Sequence, residues 1–325
     1  LPKPNVSNVD LDNSTITIRK VYTVNITSNE IASGTKPVAG INETFLTYDE
    51  ERYSLIRSDG TTEELTADKF TFNATATELS IRNLGSNDTG ATLVATLRKI
   101  KPKAKKKIKN RVNSIIIDKS KNSNSGIGTT TTNDGLDYGS GNYPYGTRVQ
   151  DKIISLNNPD IIKIHAIYES ANISNPSAPT IILTSIISDT NTTAELIVGE
   201  LLIGQTSGAV AICAEKLTDA QIAYIEENDF FFKEGETVIF QESGVSAIVS
   251  TLGAGSFDIS PSYTFTSGQK ESFYNYGTIK RKADAQSPTK RLKVYFENGY
   301  YDSTDEGDVT TVNSYETYNY GTEIQ

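Results

Sequence analysis

Short runs of β-branched and aromatic residues, broken by turn residues, dominate the chain and predict extended structure in which alternate positions are buried. "STITIRKVYTVNIT" offers a strand pair or one long strand. "YSLIRSDGTTEEL" sets Tyr53 and Leu55 ahead of a Ser58-Asp59-Gly60 turn signal, and "KFTFNATATELSIRNL" brings Phe70 and Phe72, then Leu79 and Ile81, ahead of "ATLVATL". About seven such runs over roughly ninety residues predict a β-sandwich of immunoglobulin-like architecture. The Cys and Trp marks of a true immunoglobulin domain are absent, so the prediction concerns architecture alone.

After this region the pattern changes twice. "RKIKPKAKKKIKNR" is a basic band, and from Lys119 to Gly146 the chain is dominated by Lys, Asn, Ser, Thr, Gly and Tyr. A stretch of that composition buries little apolar surface and reads as a linker or long loop. Strand patterns resume in "TRVQDKIISL" and "IIKIHAIYES". The expected division is therefore a β-sandwich with a Lys-rich strand or loop (1–118), a linker (119–146), a second β domain (147–260) and a Tyr-rich β region (261–325).

The second β domain contains a repeat. "GELLIGQTSGAVAIC" at 199–213 and "GETVIFQESGVSAIV" at 235–249 are identical at eight of fifteen positions, including the Gly-Glu and Ser-Gly pairs. Each copy predicts a strand, a tight turn and a returning strand, with Gly199, Ser207, Gly208, Gly235, Ser243 and Gly244 as the structural turn residues. Two such hairpins are expected to close into one small barrel or to pack as two sheets, hiding faces that one hairpin exposes. Between them, "LTDAQIAYIEEN" is open to helix or strand, with Thr218 or Asp219 as a helix cap. Further on, Leu292 to Phe296 form a strand ahead of an Asn298-Gly299 hairpin signal.

Charge sharpens the picture more than composition does. The formal net charge is −9, yet the band holds nine cations and no acid, so the rest of the chain carries −18. The cations are Arg98, Lys99, Lys101, Lys103, Lys105, Lys106, Lys107, Lys109 and Arg111, and they form a contact band that suits an acidic surface on a neighbouring domain or subunit. The band has no aromatic residue to stack bases, so nucleic acid is not the expected partner. No apolar run approaches the ~20 residues that span a bilayer, so membrane insertion is not expected. With no Met anywhere, the chain reads as an internal piece of a longer polypeptide.

Candidate chemistry is sparse, and a non-enzymatic protein without cofactor or metal is expected. The single Cys213 reads as a small buried hydrophobe, and His165 sits in an alternating strand without a nucleophile motif beside it. No nucleophile elbow, phosphate loop or dinucleotide fingerprint occurs. Asp302, Asp305, Glu306 and Asp308 cluster as hard-cation ligands do, but Asn313 stands where a calcium loop needs an acid, and an exposed hairpin loop is the preferred reading.

Three long runs carry a family likeness: "DGLDYGSGNYPYGTRVQDKIISLNNPDIIKIHAIYESA", the repeat block from 198 to 252, and the segment from "FTSGQKESFYNYGTIKRK" to "RLKVYFENGYYDSTDEGDVTTVNSY". They resemble large virion structural proteins of contractile-tailed marine phages, the cyanophages and their relatives, described as baseplate-wedge or tail-fibre-like components. The likeness is close over about residues 130–325 and looser before that; it contains no catalytic motif. It implies a multi-copy or homo-oligomeric building block of the phage tail, located in the virion, that docks to other tail or baseplate proteins. Two alternatives belong to other classes. One is an adhesin for host-surface glycan using Tyr138, Tyr143, Tyr145, Tyr300 and Tyr301; the other is a glycan-degrading tail enzyme with paired carboxylates.

Overall fold

The computed structural model describes residues 10–123, 134–139, 143–268, 275–311 and 314, and within these the regular structure is β-strand apart from short 3-10 turns. Two compact units emerge among the described residues: 10–107 with 301–311 and 314, and 108–300. The mainly β class with a small barrel, expected from the strand-like runs, is the observed one.

The first unit holds eight strands: β1 (Thr15–Thr27), β2 (Glu30–Ile31), β3 (Glu43–Phe45), β4 (Tyr53–Ile56), β5 (Thr62–Glu63), β6 (Phe70–Phe72), β7 (Leu79–Ile81) and β8 (Asp88–Ile100). β1 and β8 pair antiparallel along nearly their whole length, from Thr15 opposite Ile100 to Ile26 opposite Asp88. The sheet runs β2-β1-β8-β4-β5, and β3 also pairs with β8. The hairpin β6-β7 supplies a second, smaller layer: Leu79 and Ile81 are fully buried with Leu55, Leu93, Ala95 and Leu97 of the large sheet. The two-layer architecture is thus present with very unequal layers. One chain stretch serves as a single long strand because its partner β8 is equally long.

In the second unit β9 (Lys107–Ile117), β10 (Ile153–Ser155) and β11 (Ile161–Glu169) precede a barrel of β12 (Thr180–Ile187), β13 (Leu201–Gly204), β14 (Val210–Thr218), β15 (Gln221–Glu226), β16 (Thr237–Phe240) and β17 (Ser246–Gly253). β18 (Phe257–Asp258), β19 (Tyr263–Thr266), β20 (Thr278–Arg281) and β21 (Leu292–Tyr301) complete it. The sheet β18-β11-β21-β9 is covered on both faces. Ala166, Tyr168 and Tyr295 on one face meet Ile212, Ala214, Ala223 and Ile225 on the outside of the barrel. Ile167, Val294 and Phe296 on the other face meet Ile154, Tyr263 and Ile279 of the β10-β20-β19 sheet. Covering both faces leaves little polar surface on β11 and β21, which fits their mixed, bulged alternation.

Three expected boundaries move, the one at 260 giving way to a break near 300, because β19 and β20 share a sheet with β10 inside the second unit. The N-terminal unit ends near residue 107, because β9 joins β21 in the second unit's sheet. The described part of 119–146 is packed, not a linker: Leu136 is fully buried in the second unit's core, and Ser120 and Asp137 exchange backbone hydrogen bonds with the flanking segment. Composition misleads here because a single apolar residue, Leu136, anchors a turn whose polar groups are satisfied by backbone partners. Residues 124–133 and 140–142 of that stretch, and the C-terminal end of the Tyr-rich region, lie outside the described residues.

Candidate functional site

The repeat builds a tightly constrained group of buried polar side chains. In each copy the turn glycine takes a left-handed backbone, Gly208 and Gly244 both at φ +71°, and its N–H donates to the carbonyl four residues earlier, Gly204 or Phe240. Gly199 and Gly235 open the copies at φ +92° and +83°. All six predicted turn residues therefore occupy turns, and the four glycines do so in conformations that side-chain-bearing residues rarely adopt.

The closure of each turn comes from the other copy. The Glu236 carboxylate accepts Thr206 N–H (3.1 Å), Ser207 N–H (2.9 Å) and Ser207 Oγ–H (2.9 Å) from the first turn, and Lys233 N–H (2.5 Å) from its own approach. The Glu200 carboxylate does the same for the second turn: Glu242 N–H (3.1 Å), Ser243 N–H (2.9 Å) and Ser243 Oγ–H (2.9 Å), with Ile197 N–H (2.7 Å). Partner for partner, each bond repeats thirty-six positions on, and both carboxylates are buried, Glu200 at 0 % and Glu236 at 5 % exposure. Burial alone would raise the Glu236 pKa, but the four donors outweigh it and hold the carboxyl below its ordinary value.

This reciprocity belongs to an internal two-fold relation of the whole barrel. β13 pairs with β16 through Ile203 opposite Ile239, and β12 pairs with β15 through Ile181 opposite Ile222; in each pair the two residues are equivalents. β12 pairs with β17, and β15 with β14, in registers that share one interruption at equivalent places, between Thr251 and Val249 and between Glu215 and Cys213, while a second shift in each ladder is not shared. Each half is thus three strands, and each inserts its hairpin beside the other's. Ile203 and Ile239 are thirty-six residues apart but Ile181 and Ile222 forty-one, so the first half carries five more residues between arm and hairpin. That insertion hid the arms from sequence comparison.

"LTDAQIAYIEEN" resolves to strand, and the helix alternative is overturned. Ile222 and Tyr224 of β15 point into the barrel core while Ala223 and Ile225 face the neighbouring sheet, so tertiary partners on both sides override a neutral local propensity. Cys213, the equivalent of Val249, is fully buried, and burial pushes its thiol up to about 12, with Glu200 adding to the shift. It packs as a hydrophobe.

The basic band is largely matched within the chain. In the first unit Lys99 pairs with Asp308 (2.6 Å) and with Glu43 (3.7 Å), and Lys105 and Lys107 lie over the Tyr301 ring at 5.7 and 5.0 Å. The acidic tract supplies backbone caps too: Asp308 accepts Lys103 N–H and Asp305 accepts Lys106 N–H, both at 2.8 Å. Asp302 and Asp305 also close local turns on Thr304 and Gly307. Asp308 is thus a counter-charge to the band while Asp302 and Asp305 accept backbone N–H groups, and among the described residues no cluster of three metal-ligating side chains forms. In the second unit Lys109 pairs with Glu297 (2.9 Å) and Arg111 with Glu242. Arg98, Lys101 and Lys103 remain exposed, Lys103 with only a 4.0 Å approach to Glu306.

Three further observations complete the placement. His165 Nε2 lies 2.9 Å from Arg111 O, its Nδ1 is buried without a hydrogen-bond partner, and burial lowers its pKa. Of the five candidate glycan-binding tyrosines only Tyr145 and Tyr300 are exposed; Tyr143 donates to Asp137 and Tyr301 sits under its lysines. Sequence reasoning passed over Phe230 and Phe231, exposed at 62 % and 68 % on the loop before the second hairpin, where Asn228 ties the loop to Val210 N–H and Gly208 O. Three consecutive phenylalanines among acids were the available signal, since a strand alternation buries only some of such a run. Comparison of the chain with protein-family models, with curated proteins and with solved structures finds no match.

Proposed function

We propose that the chain is a non-enzymatic structural component of a phage tail, in the baseplate or an adjoining fibre, acting through contacts with other virion proteins. The observation that carries this reading beyond the sequence resemblance is the reciprocal carboxylate lock. Paired buried glutamates are where a glycan-cleaving reading would look first, and here each accepts from two turn amides, a serine hydroxyl and an approach amide. Carboxylates held this way brace turns; a general acid must instead keep a proton for a substrate. The Phe230–Phe231 pair, fixed outward by Asn228, supports docking to a neighbour, since exposed aromatics on a fixed loop are what protein interfaces enrich.

The test is cryo-electron microscopy of the intact particle that carries this chain. Repeated copies around the baseplate or along a fibre are the expected result. Density at a distal fibre tip moves the reading to the glycan adhesin, and a chain absent from any particle overturns the virion reading altogether.

A further inference from the structure

The large sheet of the first unit ends in an open edge. β1 is thirteen residues long, yet on the side away from β8 it is paired only at Ile26 with Ile31 and Thr27 with Glu30. Among the described residues no backbone hydrogen bond outside the β1–β8 ladder involves Thr15–Val24. Among the described residues, one row of N–H and C=O groups along these ten strand residues therefore has no backbone partner. A long, uncovered edge is a template for another strand unless charges or bulges blunt it.

The side chains say what kind of strand fits. On the core face Ile16, Ile18 and Tyr22 are only half-buried, Ile18 and Tyr22 packing at the rim of the core, and the Tyr22 hydroxyl is buried without a hydrogen-bond partner. One more strand with apolar residues on that face would finish the layer. On the opposite face Thr15, Thr17, Arg19, Val21 and Thr23 are exposed, and Arg98 of β8 stands opposite Thr17. Lys20 is already matched by Glu43 at 2.5 Å, whereas Arg19 donates only to the Glu51 carbonyl at 3.0 Å, so among the described residues the cations on the exposed face without an ion pair are Arg19 and Arg98. A second copy of the same edge does not suit: with like faces aligned, near-full antiparallel overlap of Thr15–Val24 sets Arg19 against Arg19 or Lys20 against Lys20, and like charges directly opposite are destabilising.

We infer that the Thr15–Val24 edge of β1 accepts an extended segment of a different protein by strand addition, a segment with apolar residues at alternate positions and acids opposite Arg19 and beside Arg98. The inference goes beyond the virion reading and stands on this sheet's geometry, so its failure leaves that reading untouched.

The probe is the capped decapeptide VTVTVEVEVT, which in antiparallel register puts valines on the core face and its glutamates at Arg19 and Thr17. Amide hydrogen exchange of the full chain is followed with this peptide and with VTVTVKVKVT. The expected result is exchange slowed about ten-fold at alternate amides of Thr15–Val24 with the acidic peptide only, and a reversed preference in Arg19→Glu, an exposed position where the fold is retained. No slowing at saturating peptide overturns the inference. Equal slowing by both peptides overturns the choice of an acidic partner. Slowing without peptide, accompanied by a dimer in sedimentation, assigns the edge to a second copy and overturns it as well.

Discussion

The barrel and the N-terminal sheet are both antiparallel β structures, and they treat their strand edges in opposite ways. The barrel closes on itself through β12 and β17, so every strand has two neighbours. Among the described residues the N-terminal sheet stops at β1, with ten residues unpaired on one side. The barrel reaches closure by duplication: two three-strand halves, each too small to bury its own face, complete each other and trade a carboxylate. The sheet instead depends on length, with β1 and β8 holding each other over eleven register pairs. Closed elements suit a scaffold, whereas open ones suit attachment.

Removing a lock should produce the largest effect on this contrast. Glu236→Ala leaves two turn amides, a serine hydroxyl and Lys233 N–H without their acceptor, and loss of about 3 kcal/mol is expected. Glu200→Ala should cost a similar amount if the two-fold relation is energetic as well as geometric. Urea denaturation of both variants checks this, and a markedly unequal pair would reduce the symmetry to shape alone.

Next comes crowding at the lock. Gly204 is the one turn-flanking position where the halves differ sharply, standing where the second copy has Phe240. A Cβ at Gly204 would press on Ser207 Oγ and lie 2.8 Å from Glu236 Oε2. Gly204→Ala is expected to cost about 2 kcal/mol. Gly208→Ala and Gly244→Ala meet nothing within 4 Å and should cost only the left-handed backbone penalty, about 1 kcal/mol each. Thermal melts of the three variants give the order directly; equal losses would mean that the lock tolerates displacement.

Acid should weaken the barrel in a defined direction. The folded-state pKa of Glu236 lies below its ordinary value of 4.5, so its stabilising contribution is present above that value and is lost as pH falls through the folded-state pKa. Stability measured from pH 6 downward should hold until below about 4.5 and then decline, and Glu236→Gln should flatten that decline. The smallest effect is expected at the clasp between band and acidic tract. Asp308→Asn removes the Lys99 ion pair at 2.6 Å from a partly exposed setting, and a loss of under about 1 kcal/mol that shrinks with added salt is expected from denaturation at two ionic strengths.

The hairpins were legible because a repeat announces itself. Two Gly-Glu and two Ser-Gly pairs at one spacing implied two identical turns, and the positive φ of Gly208 and Gly244 is the local requirement that the sequence records. The lock was visible only in part. Glu200 and Glu236 stood out as charges shared between copies, but a glutamate beside a strand reads as solvent-facing until its acceptor role in another segment is known. The arms β12 and β15 had diverged too far, by five residues of spacing and in identity, to register at all.

By itself, then, the sequence determined the strand-rich class, the twin turns and the concentration of positive charge between 98 and 111, because these follow from local preference and from residue order. Tertiary structure decided which glutamate closes which turn, that "QIAYIE" runs as strand, that Leu136 is core and that Asp305 and Asp308 answer the lysines. Those outcomes depend on contacts between residues from 29 to 209 positions apart, where burial and hydrogen-bond satisfaction outweigh what any short window of the chain prefers.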